Sequence, residues 1–149
     1  MKSPLKRRVS LAGMSCCSPR LTSTRRYSSQ RDRQKGEAYV HGFTLAMTCQ
    51  NMFYRPISEL DNQAGYADIF LRPLLENYPD MEHSYIVELK YCKSDATDEQ
   101  VAKLREAAIA QVNRYADSDV VKTEVKTTRL HKLVVIFRSV DMVVCEEIE

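Results

Sequence analysis

The chain has 149 residues and 44% hydrophobic residues, long enough for one domain with a real core and too short for two. Its net charge of +2 hides a division: residues 1–35 carry ten Lys or Arg against a single acid, Asp32, whereas residues 36–149 carry 12 bases and 19 acids. No window approaches the ~20 apolar residues of a membrane span, and Cys16, Cys17, Cys49, Cys92 and Cys145 make no C-x-x-C pair, which argues against a zinc module or a disulfide scaffold.

The cysteines read as free thiols in a reducing, cytoplasmic compartment. The basic start includes Arg7-Arg8-Val9-Ser10-Leu11, but no apolar stretch follows it, so export is not expected. Residues 1–35 read as a basic, disordered leader, either a phosphate-binding arm or the remnant of a longer polypeptide. A backward extension of the first helix into Arg20–Lys35 is the alternative for its second half. The domain proper is expected over residues 36–149.

From Glu37 to about Gln50 the spacing turns helical, with Val40, Phe43, Thr44 and Met47 on one stripe and Glu37 one turn earlier on the same side. Phe53 to Leu60 reads as a strand and Asn62-Gln63-Ala64-Gly65 as the turn behind it. Tyr66 to Leu71 is a second strand. Asp68 lies in it on the face of Tyr66 and Phe70, and an unpaired Asp among apolar and aromatic residues is poor strand chemistry. Arg72 to His83, with Pro73 and Pro79, is a long connection.

Ser84 to Tyr91 is the third strand. Alternation puts Glu88 and Lys90 on one face and Tyr85, Val87, Leu89 and Tyr91 on the other. Charge inside such a segment needs a partner or a metal, unless the pair merely sits at the wet end of an edge strand. Thr97-Asp98-Glu99-Gln100 has the form of a capping box and opens a helix to about Ala116, with Leu104, Ala108, Gln111 and Tyr115 on its apolar stripe. A Gln at the centre of that stripe must be hydrogen-bonded. Asp117 to Arg129 reads as a polar loop, Leu133 to Phe137 as a buried strand, and Met142 to Cys145 as a short last strand before an acidic end. His41, His83 and His131 are not expected to cluster. Tyr39, Phe43, Tyr54 and Tyr66 are scattered too widely for a base-stacking platform and are expected to pack in the core.

Each misfit polar residue falls in a separate element, and acids on neighbouring strands can converge at one end of a sheet. Carboxylate oxygens suit Mg²⁺, which keeps several waters beside one or two carboxylates. A neighbouring ammonium can orient a water and stabilise developing negative charge.

These residues resemble the PD-(D/E)xK nuclease superfamily, and in particular its RecB-like branch. The match rests on Gly65-Tyr66-Ala67-Asp68 as the Gly-x-x-Asp motif, Glu88-Leu89-Lys90 as E-x-K, and Gln111-Val112-Asn113-Arg114-Tyr115 as Q-x-x-x-Y. The wording around them is similar to the C-terminal nuclease-like domain of bacterial AAA-ATPase-like proteins. The resemblance implies a restriction-endonuclease-like α/β fold of αβββαβ type, with a central mixed sheet flanked by helices. It implies that Asp68 and Glu88 hold Mg²⁺, or Mn²⁺ in its place, with the Leu89 carbonyl, and that Glu37 supplies an additional acidic contact. Lys90 would position the water, and Gln111 and Tyr115 would contact substrate or brace the site. The expected partners are nucleic acid, DNA by family analogy, and an ATPase-like domain. The rival expectations are a non-catalytic nuclease-fold module that binds nucleic acid or protein, and an orphaned regulatory domain of an ATPase-like protein.

Overall fold

The computed structural model describes residues 30–62 and 65–149, with side chains described for 36–58 and 68–149. Its elements are α1 (Gln30–Thr48), β1 (Tyr54–Asn62), β2 (Gly65–Pro73), β3 (His83–Cys92), α2 (Asp98–Ala116), α3 (Asp119–Val125), β4 (Arg129–Arg138) and β5 (Asp141–Ile148). The strands lie in the order β1-β2-β3-β4-β5 in one sheet. β3 and β4 are parallel and all other neighbours antiparallel. A parallel pair needs a long crossover, and the chain between Cys92 and Arg129 supplies it as α2 and α3. The result is an α/β fold in which a mixed sheet is covered by helices.

Strand alternation divides the core in two. On one face Tyr54, Ile69, Leu71, Tyr85, Val87, Leu89, Leu133 and Val135 pack together, with Leu45 of α1 against them. On the other, Phe70, Ile86, Val134 and Ile136 meet Val101, Ala108, Val112 and Tyr115 of α2 and Val121 of α3. α2 begins where its capping box predicts: the Thr97 side chain accepts from Gln100 N, and the Gln100 side chain accepts from Thr97 N at 3.0 Å.

α1 runs back to Gln30, as the alternative of a backward extension has it, while residues 1–29 and the turn residues Gln63 and Ala64 lie outside the described residues. Several expectations fail in detail. Val40 and Thr44 are buried as expected, but Phe43, Met47 and Tyr39 are exposed, because α1 meets the sheet along a stripe too narrow to include them. The segment expected as a polar loop contains α3. Its N-cap Ser118 accepts from Val121 N and its buried residue is Val121, too little burial to show a period. β5 extends through the acidic end. It is an edge strand with alternating burial, and Glu146 is held there by the Arg105 guanidinium of α2 at 2.8 Å. Two of the histidines do meet: His131 Nε2 lies 2.9 Å from His83 Nδ1, and His131 Nδ1 lies 2.6 Å from Glu147 Oε1. Parallel pairing of β3 with β4 sets His83 and His131 at the same end of the sheet. Among the described residues Cys49, Cys92 and Cys145 take part in no disulfide. Among the described residues no helix is long and apolar enough to cross a membrane.

Candidate active site

β2 and β3 pair only from Ile69↔Val87 to Leu71↔Tyr85. Beyond that point β2 continues along β1, and β3 continues along β4. The two strands therefore part at Asp68 and Glu88. Parting leaves backbone groups without a ladder partner, and such groups must be satisfied some other way. The Leu89 N–H donates to Asp68 Oδ2 at 2.8 Å, so the aspartate closes the fork that the strands open.

Glu88 is fully buried on the α2 side of β3. Its Oε1 accepts from Lys90 Nζ at 2.5 Å, and its Oε2 is buried with no hydrogen-bond partner. Lys90 Nζ also donates to Gln111 Oε1 at 2.9 Å, and Gln111 Nε2 donates to the Tyr115 hydroxyl at 2.5 Å. The four-residue spacing of Gln111 and Tyr115 on α2 makes that last contact, and burial of Tyr115 anchors it. A chain of polar contacts thus runs from β3 into α2, with a carboxylate oxygen left over at its head.

Burial raises the pKa of both acids. Glu88 is pushed up to about 7, first by loss of water, then by the nearby Asp68 charge, with the Lys90 ammonium working against both. Asp68 is raised by burial too, opposed by the Leu89 N–H and by the Lys90 and His41 charges. Glu37 adds to the rise in each case. Its side chain is exposed, at the edge of a cleft of about 370 Å³ that His41, Asp68, Leu89, Lys90 and Tyr91 also line.

An unpartnered buried carboxylate oxygen, a second raised carboxylate and an adjoining cleft fit a hard divalent cation, which takes oxygen ligands and keeps part of its water shell. Among the described residues no three His, Cys, Asp or Glu side chains are grouped to enclose an ion. A cation in the fork would therefore have the two carboxylates, with water or substrate completing its shell.

All of the residues expected to matter lie in this region. Asp68, Glu88, Lys90, Gln111 and Tyr115 form the fork and its brace, Leu89 contributes its N–H to Asp68, and Glu37 stands at the rim. Sequence reasoning missed His41. Its Nε2 lies 3.0 Å from the Asp68 carbonyl oxygen and 3.3 Å from Ser58 Oγ, and since a carbonyl only accepts, Nε2 carries the proton. The signal was its place four residues after Glu37, on the same helix face. At Gly36, in the second turn of α1, a Cβ would collide with the Tyr91 ring, so its absence lets α1 close on the end of β3.

A mixed α/β sheet that forks at an Asp, with E-x-K on the next strand, is the restriction-endonuclease-like arrangement. The chain belongs to the PD-(D/E)XK nuclease superfamily, whose family model matches residues 35–147. Members of this superfamily generally use divalent metal ions. Among solved structures, a repair endonuclease from Pyrococcus abyssi is similar over 78% of this chain and 43% of its own, with a TM-score of 0.36 and 15% identity. The chain thus spans less than half the length of that endonuclease chain. No curated protein matches it.

Proposed function

We propose that the chain is a Mg²⁺-dependent nuclease of the RecB-like branch that hydrolyses phosphodiester bonds of DNA in the cytoplasm. The observation that supports this most is the partnerless Glu88 Oε2, buried near the Asp68 charge on a carboxylate whose other oxygen Lys90 holds. Evolution of a core does not favour such an atom, because an unsatisfied buried carboxylate oxygen is costly.

In this reading Asp68 and Glu88 hold the cation, with the Leu89 carbonyl and, at the rim, Glu37. Bound there, Mg²⁺ or Mn²⁺ would polarise the phosphate and offset the charge that develops on it. Lys90 has three N–H donors, of which Glu88 and Gln111 accept two. The third is left to orient the attacking water or a phosphate oxygen. The water oxygen bonds to phosphorus and releases a proton to the solvent, the ester P–O bond breaks, and the leaving oxygen takes up a proton from the solvent. Gln111 fixes the Lys90 ammonium and Tyr115 fixes Gln111. DNA rather than RNA is carried by likeness to the superfamily. Contacts from Lys and Arg dominate affinity for polyphosphates, and the acidic body leaves that part to the cation and to the basic residues 1–35. An ATPase-like domain is the candidate protein partner.

The test is a nuclease assay on purified protein, on DNA and RNA, with and without EDTA, against Asp68→Ala and Lys90→Ala. EDTA and either substitution should abolish cleavage. Activity that survives all three does not come from this site.

A further inference from the structure

Within the acidic body most cations are taken. Lys90, Lys126 and Lys132 each meet a protein oxygen, and Arg72, Arg105 and Arg138 each meet a carboxylate. Among the described lysines, Lys93, Lys103 and Lys122 have no hydrogen bond or ion pair. Lys93 and Lys103 come from different elements and line one hollow of about 580 Å³. Lys93 follows directly on the end of β3, and Lys103 stands in the second turn of α2.

The rest of the lining suits an anion. Gln100 gives its side-chain oxygen to the Thr97 N–H at 3.0 Å, which leaves the amide its N–H donors. Asp98, which opens α2, is held by the Arg138 guanidinium at 2.5 Å. Asp95 sets one carboxylate in the lining against two ammoniums.

The hollow also continues the candidate site. Tyr91 lines the cleft, and Cys92, the next residue, lines the hollow. Alternation puts Lys90 and Cys92 on the same face of β3, about 7 Å apart along the strand. On α2 the same course runs from Gln111, which holds Lys90, back to Leu104 of the hollow, about 10 Å away. A nucleic-acid strand carries a charge every ~3.4 Å of its axis. A strand with its scissile phosphate at Lys90 therefore brings a phosphate to the hollow about two or three units further on.

We propose that Lys93 and Lys103 bind backbone phosphates of the substrate strand beyond the scissile one, so that the hollow extends the cleft as a lane for nucleic acid. This rests on the nuclease reading above. An acidic peptide would meet the same two ammoniums but has no use for the carboxylate pair next along β3, whereas a phosphate backbone uses the cation held there.

The test is fluorescence anisotropy of a labelled DNA duplex and a labelled polyglutamate over a series of salt concentrations, with Ca²⁺ as the divalent cation and the DNA checked intact afterwards. The full chain is compared with Lys93→Ala/Lys103→Ala, with Lys93→Arg/Lys103→Arg, and with Lys122→Ala/Lys126→Ala, which removes the same charge from α3. The Lys93→Ala/Lys103→Ala variant should bind DNA at least about tenfold more weakly near 0.1 M salt, and the slope of log affinity against log salt should flatten by about 2. The arginine pair should bind as the wild type does, and the α3 variant should keep the wild-type slope. An equal loss in the α3 variant, a loss that the arginine pair shares, or polyglutamate binding that depends on Lys93 and Lys103 while DNA binding does not would each overturn the lane. A wild type that binds DNA, with the Lys93→Ala/Lys103→Ala variant unchanged, contradicts the lane alone. A wild type that binds no DNA contradicts the nuclease reading as well.

Discussion

Asp68 Oδ2 accepts the Leu89 backbone N–H at 2.8 Å across the point where β2 and β3 part. One carboxylate therefore has two tasks, to satisfy an amide that lost its strand partner and to face Glu88 with a second negative charge. The two tasks can be separated. Asn keeps an oxygen for the Leu89 N–H and removes the charge. Asp68→Asn should therefore fold as the wild type does, with a melting temperature no lower in the absence of divalent cations. Its nuclease activity should fall at least about a hundredfold, the scale of losing a main electrostatic contact in a reacting site. Melting curves and cleavage rates on the same preparation check both halves.

The raised Glu88 carboxyl links stability to pH. A carboxyl whose folded pKa lies above its unfolded value binds protons more tightly in the folded state. It stabilises the fold once protonated and costs stability when ionised. For Glu88, raised from 4.5 to about 7, stability from this group grows as pH falls from about 7 toward 4.5 and is absent above about 7. Glu88→Gln removes that dependence. Without divalent cations the wild type should gain stability relative to Glu88→Gln as pH is lowered through this window, by on the order of 1–3 kcal/mol. Denaturant melts of the two proteins at a series of pH values measure the difference. A gap that stays constant across the window would show that Glu88 titrates as an ordinary carboxyl.

Gln111 separates bracing from substrate contact. Its Oε1 accepts from Lys90 and its Nε2 donates to Tyr115, so both ends of the amide are engaged within the protein. Gln111→Leu keeps the volume and removes both bonds, at a cost of about 1–3 kcal/mol in stability. A brace predicts a lower kcat, by about tenfold, with KM nearly unchanged, because the Lys90 ammonium loses one of its fixed acceptors. A raised KM with kcat intact would mean that the amide leaves Lys90 to bind substrate.

How much of this could be read in the sequence depended on whether a residue announces its partner. Asp68, Glu88 and Gln111 were legible because each is a polar residue in an apolar period, and burial of such a group demands a reason. Thr97 and Gln100 were legible because a capping box is local. α3 was hidden because a short helix with Val121 as its buried residue shows no period. The exposure of Tyr39 and Phe43 was hidden for the opposite reason. Their spacing is helical, but spacing does not say which side of a helix finds a second layer. His41 and the His83–His131 contact were hidden because they depend on strand order and on where β2 leaves β3, which only long-range pairing decides.

The central claim is that Asp68 and Glu88 together hold a divalent cation. Electron paramagnetic resonance of Mn²⁺ measures this directly, since the signal of the free aqueous ion fades as the ion is bound. Wild-type protein should take up Mn²⁺ in stoichiometric amount, Mg²⁺ should displace it, and both Asp68→Asn and Glu88→Gln should lose the uptake while remaining folded. Uptake that persists in both variants, or a wild type that leaves the free-ion signal unchanged, would contradict the account.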